Sequence, residues 1–195
     1  MISTQANLNL AVGRTPQAIK DALDTYAYNG DGSQLRQSLT DVLTEGHRQA
    51  AVIGRHRAGD LFPPEEDDRK FAQQVMRGEK PYLDALIRDI TNGQYDNPDE
   101  TANVSRMAAR VNLYTRKMTG TANENFLLAS DETEWTWKMA EIEDHCSDCP
   151  ELSAGSPYTS ESLPTVPGNN DTTCLFNCKC TLIRSDGRSG FAHPG

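Results

Sequence analysis

Residues 135–184 read WTWKMAEIEDHCSDCPELSAGSPYTSESLPTVPGNNDTTCLFNCKCTLIR and hold all five cysteines of the chain. A C-x2-C pair is followed, after 24 residues, by a C-x3-C-x-C group. Trp135 and Trp137 alternate with polar residues, which is the period of a half-buried strand. Residues 181–183, after the last cysteine, also favour a strand. If the two segments pair antiparallel, both cysteine groups meet at one end of a hairpin, and the intervening segment closes over them as a loop.

Clustered cysteines in two groups predict a metal site. Zn²⁺ takes four soft or borderline ligands in a tetrahedron, so each group is expected to supply part of the set. The candidate ligands are Cys146, Cys149, Cys174, Cys178 and Cys180. Five thiols exceed four positions, and His145 is a competing ligand. Disulfides and unliganded thiols are the alternatives; an odd cysteine count without a recognisable secretory signal disfavours a disulfide framework.

The same stretch resembles a known family. A C-x-x-C pair after a Trp-containing strand, then a loop and N-C-[KR]-C-x-[LI], resembles the C-terminal signature of the phage Mu F-like minor head (head morphogenesis) proteins. Here the signature reads WTWKMAEIEDHCSDCPELSAG and later NCKCTLI, over residues 134–184, about a quarter of the chain. Many members have His-Pro-Asn before the C-[KR]-C. This chain has Leu175-Phe176-Asn177 there, and Cys174, one position earlier, is the candidate replacement for the histidine.

The resemblance implies a structural virion protein of a tailed bacteriophage, acting in capsid assembly or at the portal vertex. It implies several copies in a particle, association with the portal protein, the major capsid protein or both, and a location in the phage head after synthesis in the host cytoplasm. It does not imply catalysis or a small-molecule substrate.

Composition sets further bounds on the function. Hydrophobic residues make up 36% of the 195 residues, and the mean hydropathy is −0.64. No apolar run approaches the ~20 residues that a membrane span needs. The N-terminal stretch lacks a basic region and a continuous apolar core, so we expect no secretory signal. These features predict a protein that folds in the cytosol, where thiols stay reduced and zinc is available.

Charge is unevenly distributed along the chain. The formal net charge is −9, and residues 131–195 contribute 4 basic against 11 acidic side chains. An acidic cysteine module is a poor electrostatic partner for a phosphate backbone. We therefore keep a nucleic-acid-binding zinc module, associated with packaged DNA through weak contacts, only as the alternative function. In that alternative the two tryptophans would stack on bases.

The region before the cysteines has helical periodicity. We predict a fold that is mainly α with a small C-terminal zinc-stapled β hairpin, an α+β arrangement. Its parts are an extended N-terminal arm (1–15), a helical domain (16–130), a cysteine-rich zinc-binding β module (131–184) and a mobile tail (185–195). Within the helical domain, Thr15-Pro16 predicts a helix start, and Gly78 and Pro81 predict an interruption.

One further feature has both a functional and a structural interpretation. The polar side of the second predicted helix gathers His47, Arg48, Arg55, His56 and Arg57. This cluster is either a contact for nucleic acid or an acidic protein, or a set of cations near a helix C-terminus, where the helix dipole favours them. We favour the second interpretation, because acidic residues follow at once.

Catalysis is not expected. The chain has no P-loop, G-x-S-x-G or dinucleotide fingerprint. The zinc deaminase pattern requires H-x-E and P-C-x-x-C, and here the proline follows the pair. A catalytic zinc keeps one coordination position open, whereas five clustered cysteines point to a closed site. We therefore predict that the protein is not an enzyme.

Overall fold

Four long helices precede a two-stranded sheet in the computed structural model, which describes residues 4–61, 66–99, 101–130, 134–142 and 144–192. The helices are α1 (Thr4–Asn29), α2 (Gly32–Ala58), α3 (Glu66–Thr91) and α4 (Val104–Leu128). The second helix contacts each of the other three, and α1 also packs on α4. No helix within the described residues is both long and apolar enough to cross a membrane. The predicted mainly helical fold with a small C-terminal hairpin is confirmed.

Helix α2 has a capping residue at each end and one apolar face. Its N-cap is Asp31, whose carboxylate accepts hydrogen bonds from the backbone N–H groups of Ser33 and Gln34. Gly59 ends the helix in the left-handed conformation at φ 110°, a common helix C-terminus. Leucines at positions 35, 39 and 43 recur at helical spacing, and all three are buried in the core of the bundle.

Two sequence-based expectations about helix boundaries are wrong. The sequence predicted an extended arm over residues 1–15, whereas the structure is helical from Thr4 onward. Residues 1–3 lie outside the described residues. Likewise, α3 runs without a break through Gly78 and Pro81. A proline within a helix removes one hydrogen bond and is normally destabilising. Apolar residues that follow Pro16 in α1 and Pro81 in α3, such as Ile19 and Leu83, are buried in the bundle core. This packing offsets the loss of the hydrogen bond.

The basic residues predicted to cluster on the polar side of α2 do not form a single exposed surface. His47 is fully buried and its Nδ1 lies 2.8 Å from the hydroxyl of Thr121. Arg55 is buried too, and it forms ion pairs with Asp60 at 2.8 Å and with Asp68 at 3.0 Å. The helix-dipole interpretation is therefore incomplete, because tertiary partners decide where these two side chains lie.

The hairpin follows the helices as β1 (Trp135–Lys138) and β2 (Thr181–Arg184), with the short helix α5 (Asp148–Ala154) between them. The strands pair antiparallel, and the register places Trp135 opposite Arg184 and Lys138 opposite Thr181. Both the strands and their pairing were predicted correctly. Residues 131–133 lie outside the described residues.

A second hydrophobic core joins the hairpin to the bundle. Both tryptophans are fully buried in it, together with Phe126 near the end of α4. The rings of Phe126 and Trp135 meet edge to face, with their centroids 5.1 Å apart. The alternating pattern therefore indicated the correct buried face of β1, and that face anchors the module to the helices.

The C-terminal tail lies against the helical bundle up to residue 192, whereas the sequence predicted a mobile segment. Phe191 is 1% exposed and belongs to the core of the bundle. Arg57 of α2 donates from Nε to the carbonyl of Ser189 at 2.6 Å, and from Nη2 to the Ser189 hydroxyl at 2.9 Å. An apolar side chain and satisfied backbone groups hold the tail, whereas its glycine-rich sequence indicated only flexibility. Residues 193–195 lie outside the described residues.

Candidate metal centre

The hairpin brings the two cysteine groups to one end, as the sequence predicted. Cys180 directly precedes β2, and the chain that leaves β1 reaches Cys146 a few residues later. The paired residues at this end are Lys138 and Thr181. Antiparallel pairing thus converts two distant sequence groups into one cluster.

The C-x2-C pair lies at the start of α5. The first backbone N–H groups of a helix have no partner within it. Here the backbone N–H groups of Asp148 and Cys149 lie near the Sγ of Cys146 and lower the pKa of its thiol. Because an N–H can only donate, this arrangement favours a thiolate at Cys146.

Asp148 connects the two cysteine groups. Its Oδ2 accepts a 2.6 Å hydrogen bond from the backbone N–H of Thr173, and the Thr173 hydroxyl lies 3.0 Å from both carboxylate oxygens. These bonds lower the pKa of Asp148. The clamp fixes the segment that carries Cys174 against the N-terminus of α5. Sequence analysis missed this residue, although Ser147, Asp148 and Pro150 form a helix-start pattern that marks it.

The second cysteine group is built on a single 3-10 turn, Leu175–Asn177. Leu175 has a φ of 52°, a left-handed conformation that a branched side chain adopts at a cost of about 1–2 kcal/mol. The Asn177 amide oxygen accepts a 2.8 Å hydrogen bond from Arg116, which ties this turn to α4. Cys178 and Cys180 follow the turn.

The five sulfurs form two groups of three that share Cys149. One group contains Cys146, Cys149 and Cys174, and the other contains Cys149, Cys178 and Cys180. Within each group all sulfurs lie within 4.8 Å of one another, and the Sγ atoms of Cys146 and Cys149 are 3.2 Å apart. All five cysteines are free thiols. The structure therefore brings together every predicted ligand in a cluster that can hold a metal ion.

The surroundings of the sulfurs lower the pKa of some cysteines, which favours the thiolate, and raise the pKa of others, which favours the thiol. Hydrogen bonding from the Cys178 thiol lowers the pKa of Cys180 to about 5, and the Ala140 backbone N–H and the Trp137 indole act in the same direction. Burial raises the pKa of Cys149, whereas at Cys178 the interaction with Cys180 is the main cause of a raised pKa. At Cys146 burial is outweighed by hydrogen bonds, and its pKa is lowered.

Donor groups around the cluster fit a metal-bound thiolate. The Trp137 indole Nε1–H is fully buried without a hydrogen-bond partner, and it lies close enough to Cys180 to lower the pKa of that thiol. N–H groups that point at sulfur stabilise metal thiolates and orient them. His145, the competing ligand, is half-exposed and belongs to neither sulfur group. The described residues thus provide a sulfur-only site.

Comparisons with known proteins do not identify the chain. No family model, no curated protein and no solved structure matches it. The cysteine cluster and the fold that positions it are therefore the basis for any assignment of function.

Proposed function

We propose that the protein is a structural component of a tailed bacteriophage head, a minor head or head morphogenesis protein, with a C-terminal module stapled by Zn²⁺. The observation that carries this proposal is the clustering of Cys146, Cys149, Cys174, Cys178 and Cys180 at the end of a Trp-containing hairpin. The sequence signature of this module is the one that resembles the Mu F-like minor head proteins.

The ion's role in this proposal is mechanical. The module consists of two four-residue strands and a seven-residue helix, which is too little to bury a self-sufficient core. Bound Zn²⁺ would neutralise thiolates and cross-link the end of β1 to the start of β2, so that binding energy becomes folding energy. The staple would hold Trp135 and Trp137 against the end of α4.

Partner contacts belong to the same proposal. We infer that several copies associate with the portal protein, the major capsid protein or both, within the virion, and that the protein has no catalytic role. Three large side chains of the helical bundle are highly exposed and available to a partner: Tyr28 (93%), Tyr82 (71%) and Leu128 (65%).

The alternative of a nucleic-acid-binding zinc module is less favoured. Stacking on bases needs accessible aromatic faces. Trp135 and Trp137 are fully buried between the hairpin and α4, and the module is acidic. Binding to DNA at low and at raised salt separates the two functions, because a nucleic-acid module would give a tight complex whose affinity falls with salt.

Metal content is the first test. The full chain is purified without added metal, zinc is measured by mass spectrometry, and thiols are titrated under denaturing conditions on the same sample. About one zinc per chain with five titratable thiols supports the proposal. Absence of metal with a single free thiol means two disulfides and contradicts it.

Co-purification tests the assembly role. A tagged copy expressed during phage growth is expected to be recovered with particles and with portal or major capsid protein. A matched copy carrying Cys149→Ser should be recovered far less, because the module that supports assembly is no longer stapled. Recovery of the tagged protein only in the particle-free fraction contradicts the head assignment.

A further inference from the structure

A groove of about 350 Å³ lies between helices α3 and α4, which both pack on α2. Glu79 of α3 and Lys117 of α4 form an ion pair within it, with 3.0 Å between Oε1 and Nζ. This pair compensates its own charge and is largely buried, with side-chain exposures of 9% and 22%. The lining also includes Tyr82, Tyr114 and Leu113. Because these side chains are mainly apolar, the groove can take an apolar side chain from another molecule.

The side of α4 that borders the groove is basic. Positions 106, 110, 113 and 117 recur at helical spacing and share one face, which holds Arg106, Arg110, Leu113 and Lys117. The exposed Arg110 forms no ion pair or side-chain hydrogen bond with the described part of the chain. Arg106 donates to a neutral acceptor, the backbone carbonyl of Asp96, at 3.2 Å. The groove is therefore bordered by positive charge without a carboxylate partner among the described residues.

The cysteine module presents the opposite combination just after β1. Ile142 is 47% exposed, and the exposed acidic residues Glu141 and Asp144 come directly before it and two residues after it. Neither of these carboxylates forms an ion pair or hydrogen bond with another described residue. We call Glu141, Ile142 and Asp144 the acidic loop. An apolar side chain with unpaired carboxylates on both sides thus lies on the surface of a module that is acidic as a whole.

We propose that the groove between α3 and α4 binds the acidic loop of a neighbouring copy of this chain, with Ile142 against the tyrosine rings and Glu141 beside Arg110. The inference rests on the proposed function, in which several copies assemble, and names the contact between them. The groove and the loop are different surfaces, so the contact is heterologous, and its repetition produces a ring or a chain of copies. A nucleic acid phosphate would pair with Arg110 but would leave the apolar lining of the groove unfilled.

The first test is self-association of the purified full chain. Sedimentation velocity over a concentration series is run at about 50 mM and about 500 mM salt. The wild type should form oligomers that weaken at the higher salt, because salt screens charges at the edge of a contact. Arg110→Glu and Glu141→Arg should each weaken association at least about tenfold, since each places like charges opposite one another. Ile142→Ser should also weaken it about tenfold through lost apolar burial.

A one-to-one mixture of the two charge-reversed variants is the decisive measurement. Arg110→Glu retains an intact acidic loop, and Glu141→Arg retains an intact groove, so the mixture contains both halves of the native contact. The mixture should associate with an affinity within about threefold of the wild type, whereas each variant alone should not. Both residues are exposed, and unchanged tryptophan emission and circular dichroism confirm that the variants fold.

Two controls separate the contact from a general effect of net charge. Arg14→Glu and Glu161→Arg make the same charge changes at exposed positions of α1 and of the module, and both should associate as the wild type does. A wild type that stays monomeric up to about 0.1 mM overturns the inference. So do unchanged association in either groove or loop variant, no restoration in the mixture, and an equal loss in the controls. Binding of a duplex DNA oligonucleotide that Arg110→Glu abolishes, without self-association, assigns the groove to nucleic acid and also overturns it.

The inference and the proposed function fail in different experiments. Self-association is measured on the purified chain without phage, whereas the head assignment is tested by recovery with particles. If the tagged protein is recovered with particles but the purified chain does not associate through the groove, only the inference fails. If the groove-dependent association occurs but the protein never enters particles, only the head assignment fails.

Discussion

The side chain of Asn123 in α4 holds the backbone of Phe191 in the C-terminal tail by two hydrogen bonds. Its Nδ2 donates to the Phe191 carbonyl at 2.9 Å, and the Phe191 N–H donates to its Oδ1 at 2.7 Å. The same Nδ2 also donates to the carbonyl of Pro167 at 2.9 Å. One fully buried amide thus ties both the long loop of the cysteine module and the tail to the helical bundle.

Replacing this amide should release both segments. Asn123→Ala leaves buried backbone groups without partners, and each costs about 1–3 kcal/mol, so we expect a loss of roughly 2–4 kcal/mol in the free energy of unfolding. Urea denaturation measures the loss, and limited proteolysis should cut within residues 185–192. Asn125→Ala is the control, since Asn125 makes no side-chain hydrogen bond to the described residues. Equal stability of the two variants would contradict the clamp.

Helices α2 and α4 approach closely at Gly54. A Cβ there would collide with the carbonyl oxygen of Ala122 and lie 3.0 Å from the backbone nitrogen of Phe126. Backbone atoms cannot move aside cheaply, so Gly54→Ala should cost about 1–3 kcal/mol. Gly78→Ala, in the exposed middle of α3 with nothing within 4 Å, should instead stabilise by about 0.5–1 kcal/mol. Thermal denaturation of both variants checks the opposite signs.

The ion pair between Arg55 and Asp68 is buried, with side-chain exposures of 8% and 4%. Removing one partner of such a pair leaves a poorly compensated charge, so Asp68→Ala should cost about 3 kcal/mol. Asp67 is the matched control one residue away. Its contact with Lys70 is at the surface, 85% and 65% exposed, and Asp67→Ala should change stability by less than about 0.5 kcal/mol. Similar losses in both variants would show that burial is not the cause.

His47 should make stability depend on pH. Burial, together with the charge of Lys117, lowers its pKa to about 3 from a usual value of 6.5. Between these values the unfolded chain binds a proton that the folded chain does not. The contribution of His47 to the free energy of unfolding is therefore fully present above about pH 6.5. It falls by up to about 1.4 kcal/mol per pH unit as the pH drops toward 3.

Comparison with His47→Gln isolates this contribution. Urea unfolding is measured at about pH 7, 6 and 5 for both proteins. The wild type should lose stability more steeply than the variant below about pH 6.5. Parallel curves for wild type and His47→Gln would show that His47 does not titrate on unfolding.

If the proposed Zn²⁺ staples the module, a strong chelator should unfold the module and spare the helices. Trp135 and Trp137 are the only tryptophans of the chain, and both are fully buried in the module's core. A strong chelator should therefore shift tryptophan emission to longer wavelength and expose residues 144–184 to protease. Far-ultraviolet circular dichroism should keep most of its helical signal, because the bundle has a separate core. Restoring zinc should reverse the shift; an unchanged emission spectrum would contradict the staple.

The sequence predicted the hairpin well for a local reason. Alternation in WTWK and the β-favouring residues after Cys180 are period-two signals, and the same signals indicated which face is buried. The cysteine spacing then placed both groups at one end. The sequence left the choice among the five thiols open, because the grouping of their sulfurs depends on how distant segments pack together.

The sequence misjudged features that depend on distant partners. Proline normally ends or interrupts a helix, so the sequence predicted helix boundaries at Pro16 and Pro81. In the structure, tertiary packing maintains both helices through these prolines. His47 and Arg55 are polar by type, but Thr121 and Asp68 give them buried partners. The glycine-rich tail has no periodic pattern, and its order depends on Asn123, 68 residues away from Phe191.

The sequence by itself determined the helical class of the long N-terminal region, the two strands and the set of thiols available to a metal. These follow from hydrophobic period and residue chemistry, which act over a few neighbouring residues. Tertiary structure alone decided that α1 and α3 continue through proline, that the tail docks, and that five sulfurs divide into two groups sharing Cys149. Those outcomes depend on burial and hydrogen bonds between segments far apart in the chain, whose energies exist only once the segments meet.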